Sequence, residues 1–146
     1  MSRRGSVHHF VVTEVTKPRS PSWRRSDLFG VSYWLDVPED TEFPKTHARL
    51  QVFTRFYLQK AKPTEFQVRV IWLDRPDGTE VQIGLFGLFV VAFARDAVAH
   101  DCSFNLHNLL LQGVGRHRVE LLRELRTRWG TAEWVVIGRT HFGVER

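Results

Sequence analysis

The stretch that decides the fold runs from Phe66 to Ile83, FQVRVIWL-DRPDG-TEVQI. Phe66, Val68, Val70 and Trp72 alternate with Gln67, Arg69 and Ile71. A period of two puts one set on each face of an extended chain, the pattern of a half-buried strand. Asp77-Gly78 then interrupts the run, and Thr79 to Ile83 leads back. An Asp-Gly pair between alternating runs is a strong short-range signal for a β-hairpin.

Working outward, the same period recurs. In His47 to Leu58, Leu50, Val52, Thr54, Phe56 and Leu58 share one face, and Gln51, Phe53, Arg55 and Tyr57 the other. Ser103 to Gln112 places Phe104, Leu106, Asn108 and Leu110 at the same spacing. Val7 to Val15, Phe29 to Val37 and Glu133 to Gly143 read as further strands, being rich in β-branched and aromatic residues. Leu85 to Ala94 is apolar throughout, the composition of a strand buried on both sides. Arg116 to Leu125 is ambiguous, because Val119, Leu122, Leu125 and Trp129 also fit helical spacing. Short strand-like runs separated by Gly, Pro and Asp turns predict an all-β chain. The expected fold is an antiparallel β-sandwich, immunoglobulin-like or jelly-roll-like, of seven to nine strands with at most one short helix.

The 146 residues, 42% hydrophobic and 25% charged, suit a single globular domain over 1–146 with a basic Pro/Ser/Arg-rich loop at 17–26. Collagen-like, mucin-like and wholly disordered chains are excluded. The lone Cys102 has no internal partner for a disulfide, which points to a reducing compartment. The arginines of MSRRGSVHHFVV are not followed by the apolar core of an export signal, and Ile83 to Ala94 is too short to cross a bilayer. The expected location is the cytoplasm, away from membranes.

Net charge is +5, and its distribution is uneven. Residues 1–25 carry Arg3, Arg4, Lys17, Arg19, Arg24 and Arg25 against Glu14 alone, while residues 26–146 are balanced. Within that balanced body Arg116, Arg118, Arg123, Arg126 and Arg128 cluster against Glu120 and Glu124, as a solvated strand face or an anion-binding patch.

The order of motifs resembles a known family. LFGV (Leu28 to Val31), Phe43-Pro44, LQVFTRF (Leu50 to Phe56), the VRVIWLDRPDG hairpin and FNLHNLLLQGVGRHRVELL (Phe104 to Leu122) are similar to a bacterial family of small β-sandwich proteins, a domain of unknown function. The likeness spans most of residues 7–137. Asp74, Asp77 and Gly78 contain one more residue than the family's acidic turn, and His117 stands where the family has Tyr. The resemblance implies a fold and carries no activity.

No chemical signature stands out. The seven histidines (His8, His9, His47, His100, His107, His117 and His141) lack metal-ligand spacing, and there is no CxxC. Asp36, Glu39, Asp40 and Glu42 form an acidic loop without the spacing of a calcium loop. Gly84, Gly87, Gly113 and Gly115 do not form a phosphate cradle, since neither a lysine nor a helix start follows. No cofactor and no metal is expected. The expected function is a non-catalytic protein-binding or structural module that contacts another protein or self-associates by β-pairing. Its candidate residues are Trp23, Arg24, Arg25 and Arg19, with Arg116 and Arg118, because exposed Trp and Arg are favoured anchors at interfaces. Two alternatives are a weak nucleic-acid or anion binder using Arg3, Arg4, Arg19, Arg24 and Arg25, and a small hydrolase using Cys102 or a His-Asp pair.

Overall fold

The computed structural model describes residues 6–18, 26–31, 34–57, 62–93, 99–126 and 128–146. Among these there are nine strands and no helix: β1 (Ser6–Pro18), β2 (Ser26–Val31), β3 (Trp34–Asp36), β4 (Lys45–Tyr57), β5 (Pro63–Trp72), β6 (Val81–Ala92), β7 (Ala99–Leu111), β8 (Gly115–Arg126) and β9 (Ala132–Glu145). They form a four-stranded sheet ordered β2-β1-β4-β7 and a five-stranded sheet ordered β3-β9-β8-β5-β6. All these pairings are antiparallel except that of β3 with β9.

The alternation read from sequence is seen in β4 and β5. In β7 it holds at Phe104 and Leu106 and then shifts across Asn108, at φ +57°. Leu109 and Leu111 are therefore buried, and Leu110, expected to share the face of Phe104, is exposed. Leu50, Val52 and Phe56 of β4 face Phe66, Val68 and Val70 of β5 in one buried cluster, joined by Phe104 and Leu106 of β7 and Val119 and Leu121 of β8. Strand β4 pairs with β7 along its whole length, from Lys45 opposite Leu111 to Tyr57 opposite Ala99. The five-stranded sheet curls into a half-barrel. Register shifts between Phe66 and Val68, between Val70 and Ile71, and between Leu121 and Leu122 account for this, because an extra residue on one strand bends it and increases its twist.

Three expectations are revised. The run Phe29 to Val37 is not one strand. Its first part pairs with β1 and its second runs parallel to β9, so the chain changes sheets between them. The ambiguous stretch Arg116 to Leu125 is a strand, because it pairs with β5 on one side and β9 on the other, and sheet pairing outweighs a helical period. The apolar run Leu85 to Ala94 is not buried on both sides. β6 stands at the edge of its sheet, and Leu85, Leu88 and Val90 are 52%, 53% and 62% exposed.

The Asp77-Gly78 hairpin is in place, with Trp72 opposite Val81. The Asp77 carboxylate accepts from the Thr79 N–H at 3.0 Å and from its hydroxyl at 2.7 Å. The Gly78 N–H donates to the Arg75 carbonyl at 2.9 Å. Gly78 has φ +79°, and a Cβ built there meets no atom within 4 Å. The cost of a side chain is therefore conformational alone. Gly78→Val should lower the unfolding free energy by about 1–3 kcal/mol, while Gly78→Asn, which tolerates this region, should cost less. Denaturant titration checks this; equal midpoints for Val and Gly would show that the turn conformation carries no strain.

Candidate functional site

The candidates named from sequence fall into two groups. Arg19, Trp23, Arg24 and Arg25, with Arg3 and Arg4, lie outside the described residues. Arg116 and Arg118 lie on β8, beside the β5–β6 turn. Strand alternation places both on the face opposite the core, but not as free cations. Asp74 receives the Arg116 guanidinium at 2.8 Å and its backbone N–H at 2.7 Å. These bonds hold the Asp74 carboxyl down at about 2. Arg118 pairs with Glu80 at 3.1 Å and with Glu120 at 3.3 Å. The expected anion patch at these two positions is thus satisfied internally by acids distant in sequence.

Glu120 is the centre of this arrangement. It is 2% exposed, and three guanidiniums surround it: Arg69 at 2.6 Å, Arg139 at 3.0 Å and Arg118 at 3.3 Å. Register explains the convergence, since Arg69 and Arg139 are the cross-strand partners of Glu120 on β5 and β9. Burial opposes ionisation of Glu120. Hydrogen bonds from Arg139 and Arg69 and the nearby positive charges outweigh it and hold the carboxyl below its ordinary range.

On the core face of the same strand His117 is fully buried between Trp72 and Phe142, its ring within 15° of parallel to both. The Nδ1–H donates to the Gly115 carbonyl at 2.9 Å, because a carbonyl can only accept. Nε2 has no partner. Burial pushes the imidazole pKa down by more than the Gly115 bond and the Asp74 charge raise it. This histidine is a neutral packing group. Cys102 is a protonated thiol: burial, with the charge of Asp101, pushes it up to about 12. Asp101 is itself held by Arg55 through two bonds of 2.6 and 2.8 Å. Among the described residues no group of three or more His, Cys, Asp or Glu stands close enough to hold a metal ion.

What sequence reading missed is the β8–β9 turn. Trp129 is 78% exposed, the most exposed of the large apolar side chains described. The Arg128 guanidinium lies 4.8 Å from the centre of its ring. Gly130 follows at φ +80°, which turns the chain. The signal was present as Arg126, Arg128, Trp129 and Gly130, a Trp in a turn directly after two cations, but Trp129 also completed an apparent helical period. At the base of this turn an open cleft of about 580 Å³ is lined by Lys62, Glu65, Val90, Arg123, Glu124 and Arg126. The cations outnumber the acids there without excluding them.

Comparison with known proteins bears on the fold. No protein-family model matches the chain, and no curated protein matches it significantly. Among solved structures it is similar to the Pseudomonas fluorescens alkylpurine DNA glycosylase AlkC bound to DNA containing an abasic site analog, at 13% identity and a TM-score of 0.54. The likeness covers 100% of this chain and 32% of that one, so the chain spans about a third of the glycosylase's length. At this identity it shows a shared fold.

Two outcomes follow for β8. Glu120→Gln removes the charge that three guanidiniums share, and should destabilise the fold by about 1–3 kcal/mol at neutral pH, the lower figure if water screens the exposed Arg139. Denaturation below pH 4 should show the difference shrinking, because a carboxylate with a lowered pKa loses its contribution as pH falls through that pKa. For His117 the folded pKa lies below the ordinary value of 6.5, so only the unfolded chain takes up a proton just below that pH. Stability should fall as pH drops from about 6.5, by at most about 1.4 kcal/mol per pH unit from this group, and His117→Phe should remove that portion. Parallel pH dependences in the two proteins would contradict the assignment.

Proposed function

We propose that the chain is a non-catalytic, cytoplasmic binding module on an immunoglobulin-like sandwich, engaging another protein through the end that carries the β8–β9 turn. The single observation that carries this reading is the exposed Arg128–Trp129 pair beside the open cleft of Lys62, Arg123 and Arg126. Trp and Arg are the residues over-represented at interface hot spots, and burying an indole on a partner gains much apolar area for little lost freedom.

Strand order supports the finer fold reading. β9-β8-β5-β6 follows the order of the sheet that carries the extra strands in variable immunoglobulin domains, and β1-β4-β7 that of the opposing sheet. In such domains the loop equivalent to the β8–β9 turn sits at the binding end, together with the loops after the strands equivalent to β4 and β6. Glu65 and Val90, which line the cleft here, are cross-strand partners at that same end. This is an analogy of position, since fold alone does not assign function. The mixed charge of the cleft, with Glu65 and Glu124 among its cations, suits a protein surface better than a polyanion. Arg19, Trp23, Arg24 and Arg25 remain in the proposal as a second contact.

A nucleic-acid reading stands second, favoured by the DNA-bound state of the similar glycosylase. In that reading Trp129 stacks on a base, and Arg126 and Arg128 meet phosphates.

A photo-crosslinking residue placed at Trp129 should capture a discrete protein in cells of the source organism, and one placed at exposed His107 on β7 should not. Trp129→Ala should abolish co-purification of that protein with the melting temperature nearly unchanged, a surface change of within about 0.5 kcal/mol. Equal adducts at the two positions would overturn the protein reading. Binding of a single-stranded oligonucleotide that falls steeply with salt and disappears in Trp129→Ala would replace it with the second.

A further inference from the structure

The middle of the outer face of the five-stranded sheet holds more positive charge than its own acids neutralise. Glu120 lies there, on the face of β8 opposite Val119 and Leu121 of the core, and its carboxylate is met from both sides. Arg69 of β5 donates from Nε to Oε1 at 2.6 Å, and Arg139 of β9 from Nε to Oε2 at 3.0 Å. Each of these guanidiniums uses only its Nε edge on Glu120. Among the described residues their terminal Nη groups donate no hydrogen bond. The two side chains reach solvent, being 33% and 61% exposed, while Glu120 is covered. The remaining cations of this face are matched elsewhere. Arg118 turns its Nη2 to Glu80 at 3.1 Å, and Arg116 is held by Asp74. With Glu80 set against Arg118 and Asp74 against Arg116, Glu120 alone stands against Arg69 and Arg139. One positive charge is left uncompensated.

We propose that Arg69 and Arg139 form a binding site for a phosphate monoester, seated over Glu120 in the middle of the five-stranded sheet. The covered carboxylate holds both side chains in place before any ligand arrives, so little rotamer freedom is left to lose on binding. A guanidinium is planar and presents parallel N–H donors that match the oxygens of an anion two at a time. Geometry then selects the ligand. The two guanidiniums come from strands on opposite sides of β8. A carboxylate has two oxygens, which lie in one plane and are taken up by a single fork. A phosphate monoester has three acceptor oxygens in a tetrahedral arrangement, so it can meet a fork from each side. The uncompensated cation adds the attraction that brings such an anion to this face rather than to the matched pairs around Arg116 and Arg118. No sequence motif announces the site, because Glu120 stands 51 residues from Arg69 and 19 from Arg139 and register alone joins them.

Titration of the full chain with phenyl phosphate at constant ionic strength, followed by nuclear magnetic resonance of the arginine side chains, tests this. The Nε signals of Arg69 and Arg139 should shift together and saturate, with a dissociation constant of about 1 mM or below. Benzoate shares the ring and differs in its planar, two-oxygen head, and should bind at least about tenfold more weakly. Arg139→Gln removes one fork and should weaken phenyl phosphate at least about tenfold, with far-UV circular dichroism unchanged. Arg139→Lys keeps a cation beside Glu120 and loses the fork, and should weaken it by about threefold or more. If Arg139→Gln fails to fold, the lysine variant decides. Arg128→Ala, at the β8–β9 turn, should leave phenyl phosphate binding intact, so failure of the contact proposed there and failure of this site are separable. Absence of saturable shifts, binding that persists undiminished in both Arg139 variants, or benzoate binding as tightly as phenyl phosphate would each overturn it.

Discussion

Five phenylalanines hold the two sheets together. Phe56 of β4 and Phe104 of β7 reach in from one sheet, Phe66 of β5 and Phe89 of β6 from the other, and Phe93 follows β6. Their ring centres stand close: Phe56 to Phe66 at 4.8 Å, Phe89 to Phe104 at 4.9 Å and Phe56 to Phe93 at 5.1 Å. Phe56 and Phe66 are completely buried. Full burial of such a ring is worth about 1.5–3 kcal/mol, and tilted or edge-on packing adds about 0.5–1.5 kcal/mol per pair. Without this cluster each sheet would expose an apolar face. It also fixes the proposed binding end, because Glu65 opposite Val90 is the next pair along from Phe66 opposite Phe89. The floor of the cleft is therefore set by the core.

The parts of the fold legible in sequence were those governed by neighbours in the chain. The Asp77-Gly78 turn was readable because a tight hairpin is specified by the residues inside it. Alternation in β4 and β5 was readable because a half-buried strand reports its own two faces. The apolar run of β6 was misread for the opposite reason. Whether a strand has one neighbour or two is decided by residues far away, and composition does not carry that information. β8 was ambiguous on its own, and its contacts with β5 and β9 settle it. The β8–β9 site was least legible: Trp129 looked like part of an apolar period until the turn at Gly130 put it in solvent.

Charge behaves similarly. Arg116 and Arg118 stand close in sequence and suggested a basic patch, yet their partners Asp74 and Glu80 lie 42 and 38 residues away. Glu120 gathers guanidiniums from β5, β8 and β9, so in the middle of the five-stranded sheet three cations share one buried carboxylate. Exposed apolar and cationic groups are left at the margins, along the β6 edge and around Trp129. A stable interior with apolar and cationic groups exposed at its margins is the physical basis for reading the chain as a binding module. The likeness to part of a DNA glycosylase fits a fold used inside larger proteins as well, without transferring their chemistry.

The central claim is that the phenylalanine cluster makes the two sheets one cooperative unit. Residue-resolved amide hydrogen exchange under native conditions tests it most directly. If the claim holds, the slowest amides of β4 and β7 in one sheet and of β5 and β8 in the other open with the same free energy, equal to that of global unfolding. Distinct opening free energies for the two sheets, with one exchanging while the other stays protected, would contradict it.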